Sequence, residues 1–231
     1  MFSSNFWNFR PVRSEYGMNK RARSILSRDR AVDKTEIHNP LLRRAVHGDR
    51  EAFAQLYDEL AGSMYRFAFH MLGDKAQAED TVQEAFLTLL RAGKEFDETR
   101  GSVLNFALGV TRKLVLRHLR WKLRWFTSNV ENLESVGSDQ EPSTQERLEH
   151  AETLAAVRAA VASLPVKYRE VITLCELCEM TYEAAATQIG CSLGTVRSRL
   201  HRAHALLAEK LKQRFQRTNK QGAHLTEMVM P

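Results

Sequence analysis

Cysteine is scarce in this sequence: three residues in 231, Cys175, Cys178 and Cys191, all within one short stretch. That is too few and too clustered for an extracellular disulfide framework, so a reducing compartment, the cytoplasm, is expected. No apolar run approaches the ~18 residues that a membrane span requires, and no membrane insertion is expected. The opening stretch MFSSNFWNFRPVRSEYG has no apolar centre and carries Arg10 and Arg13, which argues against a secretion signal. Eleven glycines and five prolines leave helices as the favoured structure and exclude a collagen-like or broadly disordered chain. A phosphate-cradling glycine loop, a dinucleotide fingerprint and a nucleophile elbow are all missing, so neither an enzyme nor a bound cofactor is expected.

What the sequence has is charge, unevenly distributed. The net charge of +6 and a pI near 9.4 suit a polyanionic partner. Residues 1–38 hold 8 basic and 4 acidic residues without clear periodicity and read as a disordered basic arm. Met18 stands within it as an alternative start to Met1. Residues 39–124 are strongly helix-patterned and form a first domain. Residues 125–148 have 5 acidic residues, 1 basic and many Ser, Asn and Gln, the composition of a flexible linker. Helical periodicity returns over 149–212, a second domain, and 213–231 read as a frayed polar tail. The expected fold is therefore all-α: two small helical domains on a flexible tether.

In the first domain, Asn39-Pro40 reads as a helix start, and Gly48-Asp49 as a stop followed by a new cap. A helix is expected from about Arg50 to Leu72, with Phe53, Leu56, Tyr57, Leu60, Met64 and Phe67 at three- and four-residue steps. On the next, Ala76 to about Ala92, Asp80, Gln83, Glu84 and Leu87 fall on one stripe. This is either a solvated face or a docking face for a partner protein. From Gly101 to Val130 there is no Asp or Glu at all. On a helix, Lys113, Arg117, Arg120 and Arg124 share a stripe nearly opposite Leu104, Leu108, Val115 and Leu119. Aligned positive charges repel one another, which a phosphate backbone lying against them would relieve. Phe106, Trp121, Trp125 and Phe126 supply rings for stacking on unpaired bases, or for an ordinary core.

The second domain carries a more specific pattern. A helix from about Tyr168 to Leu177 precedes Thr181 as N-cap, a short helix Tyr182–Ile189, the turn Gly190-Cys191-Ser192 and a long helix from Leu193. This is the helix-turn-helix arrangement. Leu193, Val196, Leu200, Ala203, Leu207 and Leu211 form the core stripe of the last helix. Thr195, Ser198, Arg199 and Arg202 lie across from it, with Arg197 and His201 on the flank, where a recognition helix meets base edges and phosphates. A plain helical hairpin with a basic face is the alternative.

Leu164–Leu211, and above all the run from Gly194 to Ala203, GTVRSRLHRA, resembles the upstream-element domain of extracytoplasmic-function (ECF) sigma factors of bacterial RNA polymerase, in the sigma-70 superfamily. His47–Gly93, with Ala78-Glu79-Asp80, Gln83-Glu84 and Phe86, resembles that family's first domain. The resemblance implies a subunit that binds core RNA polymerase through Asp80, Gln83, Glu84 and Leu87 and directs transcription initiation. It implies that the loop Phe96–Ser102 and the following helix, with Phe106, Lys113, Arg117, Arg120 and Arg124, hold the downstream promoter element. It also implies that Thr195, Arg197, Ser198, Arg199, His201 and Arg202 meet the upstream element, and that an anti-sigma factor is a further partner. The sequence departs from the family pattern: Phe106-Ala107 replaces the usual Trp-Leu, Lys113 an Asn, Arg117 a frequent Asp, Glu183-Ala184-Ala185-Ala186 the usual Glu-Glu-Ile-Ala, and Cys175 an Arg.

The other function class compatible with the residues is a stand-alone helix-turn-helix regulator acting at an operator. Cys175-x-x-Cys178 and His201-x-x-His204 miss zinc-finger spacing, so no metal is expected and the thiols read as inert. His47, His70 and His118 are isolated on helices and read as surface or core residues. Two promoter elements one to two helical turns apart lie roughly 35–70 Å from each other, which a 24-residue tether spans only when extended.

Overall fold

A computed structural model describes the backbone of residues 37–126 and 155–229, and side chains up to Gln213. The described residues are mostly helical, with short turns between the helices and no strand. Helix α1 covers residues 37–46, followed by α2 (Arg50–Leu72), α3 (Lys75–Ala92) and α4 (Val103–Phe126). After residues 127–154, which lie outside the description together with most of the expected linker, come α5 (155–162), α6 (Val166–Ile172), α7 (Tyr182–Ile189) and α8 (Leu193–Val229). The expected arm also lies outside the description, save its last two residues.

Helix boundaries follow local chemistry. Asp49 caps α2 by accepting from the Glu51 and Ala52 amides, each at 3.0 Å, and these bonds with the neighbouring Arg44 hold its carboxyl below the usual range. Gly73 ends α2 at φ 76°, a left-handed conformation that costs a glycine little, and Asp74 caps α3. Thr181 caps α7 and Ser192 caps α8, as their positions in the sequence suggest.

Three boundaries differ from expectation. α1 already runs at Ile37, so Asn39-Pro40 is not its start. α6 stops at Ile172 instead of continuing to Leu177. There Thr173–Leu177 widens into a π turn: the Cys178 amide donates to the Thr173 carbonyl at 2.9 Å and Glu179 takes φ 55°, which turns Cys178 and Met180 inward. α8 continues to Val229, past the expected end of the second domain at residue 212, because the added residues include many that favour a helix and lack proline.

The larger difference lies in how the halves meet. One core is local to α1–α4 and centres on Leu42, Leu56, Leu60, Phe86 and Leu89. The other is shared. Phe67, Ala68 and Met71 of α2, Ala78 of α3, and Leu108 and Val115 of α4 cluster with Leu164, Val171, Leu174, Met180, Val196 and Leu200 of the second half. Polar contacts accompany it. Arg112 Nε donates to Glu170 Oε1 at 2.6 Å with both side chains largely buried. Arg169 donates to the Met71 carbonyl at 2.8 Å, and Arg66 to the Leu177 carbonyl at 2.9 Å. The two domains are packed together, not held apart. Sequence periodicity marks which residues are buried but not which helix covers them.

His70 lies near this junction. Burial, and then the positive charges of Arg158 and Arg66, push its pKa down to about 4. An unfolded-state histidine titrates near 6.5, so between these values the unfolded chain binds more protons, and the stability that neutral His70 contributes above pH ~6.5 is lost as pH falls toward 4. Thermal melts at pH 7, 5.5 and 4.5 should show a loss on the order of 3 kcal/mol from this group, and His70→Gln should flatten that part of the profile. An unchanged profile in the variant would remove His70 as the cause.

Candidate nucleic-acid interface

α4 carries one face in each core and turns a third outward. Lys113, Arg117, Arg120 and Arg124 are all exposed, while Leu108, Leu114 and Val115 are buried, so the cationic stripe stands where its spacing places it. Its members are not equivalent. Arg117 Nη2 donates to both carboxylate oxygens of Glu84 at 2.7 Å, and Arg120 Nε to the Leu116 carbonyl at 3.2 Å. Before α4, Phe96 packs its ring 5.3 Å from Phe106, and Asp97 accepts from the Thr99 amide and hydroxyl. These residues wall a cleft of about 470 Å³ that also includes Ser102, Asn105, Arg112 and Lys113. Its lining is mixed: the rings of Phe96 and Phe106, the Lys113 ammonium, the Arg112 guanidinium that Glu170 already pairs, and the carboxylates of Glu95 and Asp97. Trp121 is exposed; the side chains of Trp125 and Phe126 are outside the description.

On α3, Asp80, Gln83 and Leu87 are exposed and Glu84 is half-buried, the opposite face being packed through Val82, Ala85, Phe86 and Leu89. Leu87, 56% exposed among polar residues, marks a surface suited to a partner. The Glu84–Arg117 pair joins this stripe to the cationic one, a link the sequence spacing does not reveal.

On α8, burial of Val196, Leu200 and Ala203 leaves Arg197, Ser198, His201 and Arg202 outward. Arg199 and Thr195 are half-buried. The Thr195 hydroxyl is engaged with Ser192 Oγ at 2.9 Å in the cap, and Ser198 Oγ donates to the Thr195 carbonyl at 3.0 Å. The first turns of the helix therefore present two arginines and a histidine beside the Ser198 hydroxyl. Glu176 and His204 pair across the motif at 3.7 Å.

The sigma-70 region 2 family profile matches residues 56–124, and the sigma-70 region 4 profile matches residues 154–207. Together they account for more than half of the chain, in order and separated by residues 125–153. The chain belongs to the sigma-70 family. It is 30% identical over 174 residues to the ECF RNA polymerase sigma factor SigE of Mycolicibacterium smegmatis, an alignment covering 71% of this chain and 64% of SigE. It is likewise 30% identical to BldN, an ECF sigma factor of Streptomyces coelicolor, covering 74% and 64%, and 28% identical to SigK of Mycobacterium tuberculosis, covering 71% and 87%. The chain thus spans just under two thirds of the length of the first two relatives. In fold it resembles CnrH, solved in complex with the cytosolic domain of CnrY, at a TM-score of 0.57 and 22% identity, covering 77% of this chain and 98% of CnrH. It also resembles the sigma factor RpoE of Bartonella quintana, solved with the anti-sigma factor NepR, at 0.56 and 24%, covering 69% and 96%. No helix among the described residues is long and apolar enough to cross a membrane.

Residues that sequence reasoning missed are Arg66, Arg112, Arg169, Glu170 and Gln188, whose polar groups bond from one half to the other. A signal did exist: Glu170 is a carboxylate in an otherwise apolar and basic helix, VKYREVI, and is buried. Two of the histidines named from sequence have polar partners, one nearby in the chain and one on another helix. His47 Nδ1 meets the Arg43 carbonyl, and His118 Nδ1 meets Thr81 Oγ1.

The candidate zinc residues are distributed differently. Cys178 is buried and its Sγ donates to the Ser63 carbonyl at 3.7 Å, whereas His201 is exposed, and the described residues hold no cluster of three metal-ligating side chains. Burial pushes both Cys175 and Cys178 thiols up to about 12. At pH 8 only roughly one in ten thousand of each is then thiolate, so iodoacetamide should leave both unmodified in the folded chain and alkylate both in urea. Rapid alkylation of the native protein, or stoichiometric zinc lost in the Cys175→Ser, Cys178→Ser double variant, would contradict this reading.

Proposed function

We propose that this chain is an ECF-type sigma factor, a dissociable promoter-specificity subunit of bacterial RNA polymerase working in the cytoplasm rather than as an enzyme. Asp80, Gln83, Glu84 and Leu87 dock on core polymerase. The cleft at Phe96 and Phe106, with Lys113, Arg117, Arg120 and Arg124, holds the downstream promoter element. Thr195, Arg197, Ser198, Arg199, His201 and Arg202 meet the upstream element in the major groove. The observation that carries the reading is that both sigma-70 regions occur in order in one chain, each with its charged face turned outward. Two solved neighbours, RpoE in complex with the anti-sigma factor NepR and CnrH in complex with the cytosolic domain of CnrY, support an anti-sigma factor as a further partner.

Transcription in vitro tests it. Core polymerase with this chain should initiate at a discrete start site, and neither should do so alone. Asp80→Arg should cut initiation at least tenfold while leaving upstream-element binding by α8 unchanged, because α3 and α8 lie in separate regions. Tight dimeric binding to a palindrome with a silent polymerase would favour the stand-alone regulator instead.

The ion pair on Arg117 sharpens a second expectation. Lys113→Ala or Arg120→Ala should lower the slope of log affinity against log salt by about 0.7–0.9 for any promoter. Arg117→Ala should lower it by less, since Glu84 already neutralises that guanidinium. Arg202→Ala should cost ~1–3 kcal/mol and relax preference at upstream positions. Equal salt slopes for all three α4 variants would show that the Glu84 pair does not persist on DNA.

A further inference from the structure

Most polar side chains that line the cleft beside Phe96 and Phe106 are committed to the fold. Asp97 accepts from the Thr99 amide and hydroxyl, and Ser102 Oγ caps α4 by accepting from the Asn105 backbone N–H at 3.2 Å. Thr187 Oγ1 donates to the Glu183 carbonyl, Gln188 Nε2 donates to the Asn105 carbonyl at 3.3 Å, and Arg112 is paired with Glu170. That leaves the Glu95 carboxylate, the Lys113 ammonium and the side-chain amide of Asn105.

Asn105 differs from the other two. Glu95 and Lys113 are exposed and water satisfies them, whereas Asn105 is half-buried and only its backbone is bonded. Among the described residues its side-chain amide has no partner, and an amide withdrawn from water without one loses hydration uncompensated. A carboxylate only accepts and an ammonium only donates. The amide does both, side by side in one plane, which is what two hydrogen bonds to one base edge require.

We infer that Asn105 is the residue of the cleft that selects a base of the downstream element, taking one whose Watson–Crick edge sets an amino group beside a ring-nitrogen acceptor, as in adenine and cytosine. This rests on the reading of the cleft as the hold on that element. The amide oxygen accepts from the amino group and the amide N–H donates to the ring nitrogen. The Phe96 and Phe106 rings, 5.3 Å apart, give the base apolar surface. Glu95 reinforces the choice, because a carboxylate accepts from an amino group and repels the carbonyl that thymine has in its place. Lys113 stands just over two turns further along α4, a rise of about 12 Å, where a donor-only charge suits the adjoining phosphate. Base preference and salt dependence thus fall to different residues.

Selection from a single-stranded DNA library, a 20-mer with its ten central positions randomised, tests this with the full chain. Wild type should enrich adenine or cytosine over thymine by about tenfold at one position, and 20-mers carrying each of the four bases there, compared by fluorescence anisotropy, should tell the two apart. Asn105→Ala should flatten that preference and leave the slope of log affinity against log salt unchanged. Asn105→Asp turns the donor half of the amide into an acceptor, so preference should move to guanine, whose N1–H and N2 amino group donate together to a carboxylate. A misfolded protein loses a preference but does not acquire a new one. The variant also suits its place, since a carboxylate in the first turn of α4 meets the positive end of the helix. Lys113→Ala should keep the base preference while lowering the salt slope.

A wild type that enriches neither adenine nor cytosine, Asn105 variants with the wild-type preference, or loss of the preference in Lys113→Ala would overturn the assignment. The two ideas fail separately. If Asn105→Asp switches the base but core polymerase stays silent with wild type, Asn105 stands as a base reader and the sigma-factor reading falls. If polymerase initiates with wild type and the base preference ignores Asn105, the reading stands and the assignment falls.

Discussion

The structure depends on α2 and on a change of partner half-way along it. Its buried residues follow one stripe, Ala52, Leu56, Leu60, Met64, Phe67, Ala68 and Met71, at the three- and four-residue steps of an amphipathic helix. The first four lie in the core formed with α1, α3 and α4; the last three lie in the core shared with α5–α8. One continuous helix thus belongs to both halves. Truncating Phe67 would weaken the junction, whereas truncating Leu56 would weaken the first domain alone.

The end of α2 completes the junction electrostatically. The last carbonyls of a helix have no partner within it and carry partial negative charge. The Met71 carbonyl receives Arg169 from α6, and the same guanidinium also donates to the Leu164 carbonyl at 3.0 Å. Burial lowers the pKa of Arg169, yet the group keeps its charge at any physiological pH. A cation buried on carbonyls prefers one geometry over many, and here it sets the angle at which the second domain meets the first. Arg66, donating to the Leu177 carbonyl, does the same at the end of the π turn.

The helices were legible because their signals are local. Asp49, Gly73, Asp74, Thr181 and Ser192 mark ends that can be read from caps and left-handed glycine alone. The outward faces of α3, α4 and α8 followed from angular spacing, so the candidate docking and DNA-facing residues stand mostly on solvent. Local signals do not say what a buried stripe packs against. Phe67, Leu108 and Leu200 read as core from periodicity, but three such stripes from two domains fit one core as well as two. The π turn was hidden for a similar reason: an apolar run, VITLCEL, satisfies α-helical periodicity even where the backbone widens to bring Cys178 and Met180 under Ser63 and α2.

α4 shows how the departures from the family pattern fit together. Its faces serve the local core, the shared core and solvent, so one edge must be thin, and Gly109 is that edge. Glycine inside a helix costs about 1 kcal/mol against alanine, and at this point it admits Gln188. Arg117 stands where the family often has Asp, and in a helix free of acidic residues it would add one more uncompensated charge. Glu84 supplies the missing carboxylate from α3, through two bonds of 2.7 Å. The charge reversal on one helix is thus balanced by a residue of the proposed polymerase-binding stripe. Docking that engages Glu84 would release Arg117 toward DNA, so binding of polymerase and binding of the downstream element would each favour the other by the same free energy.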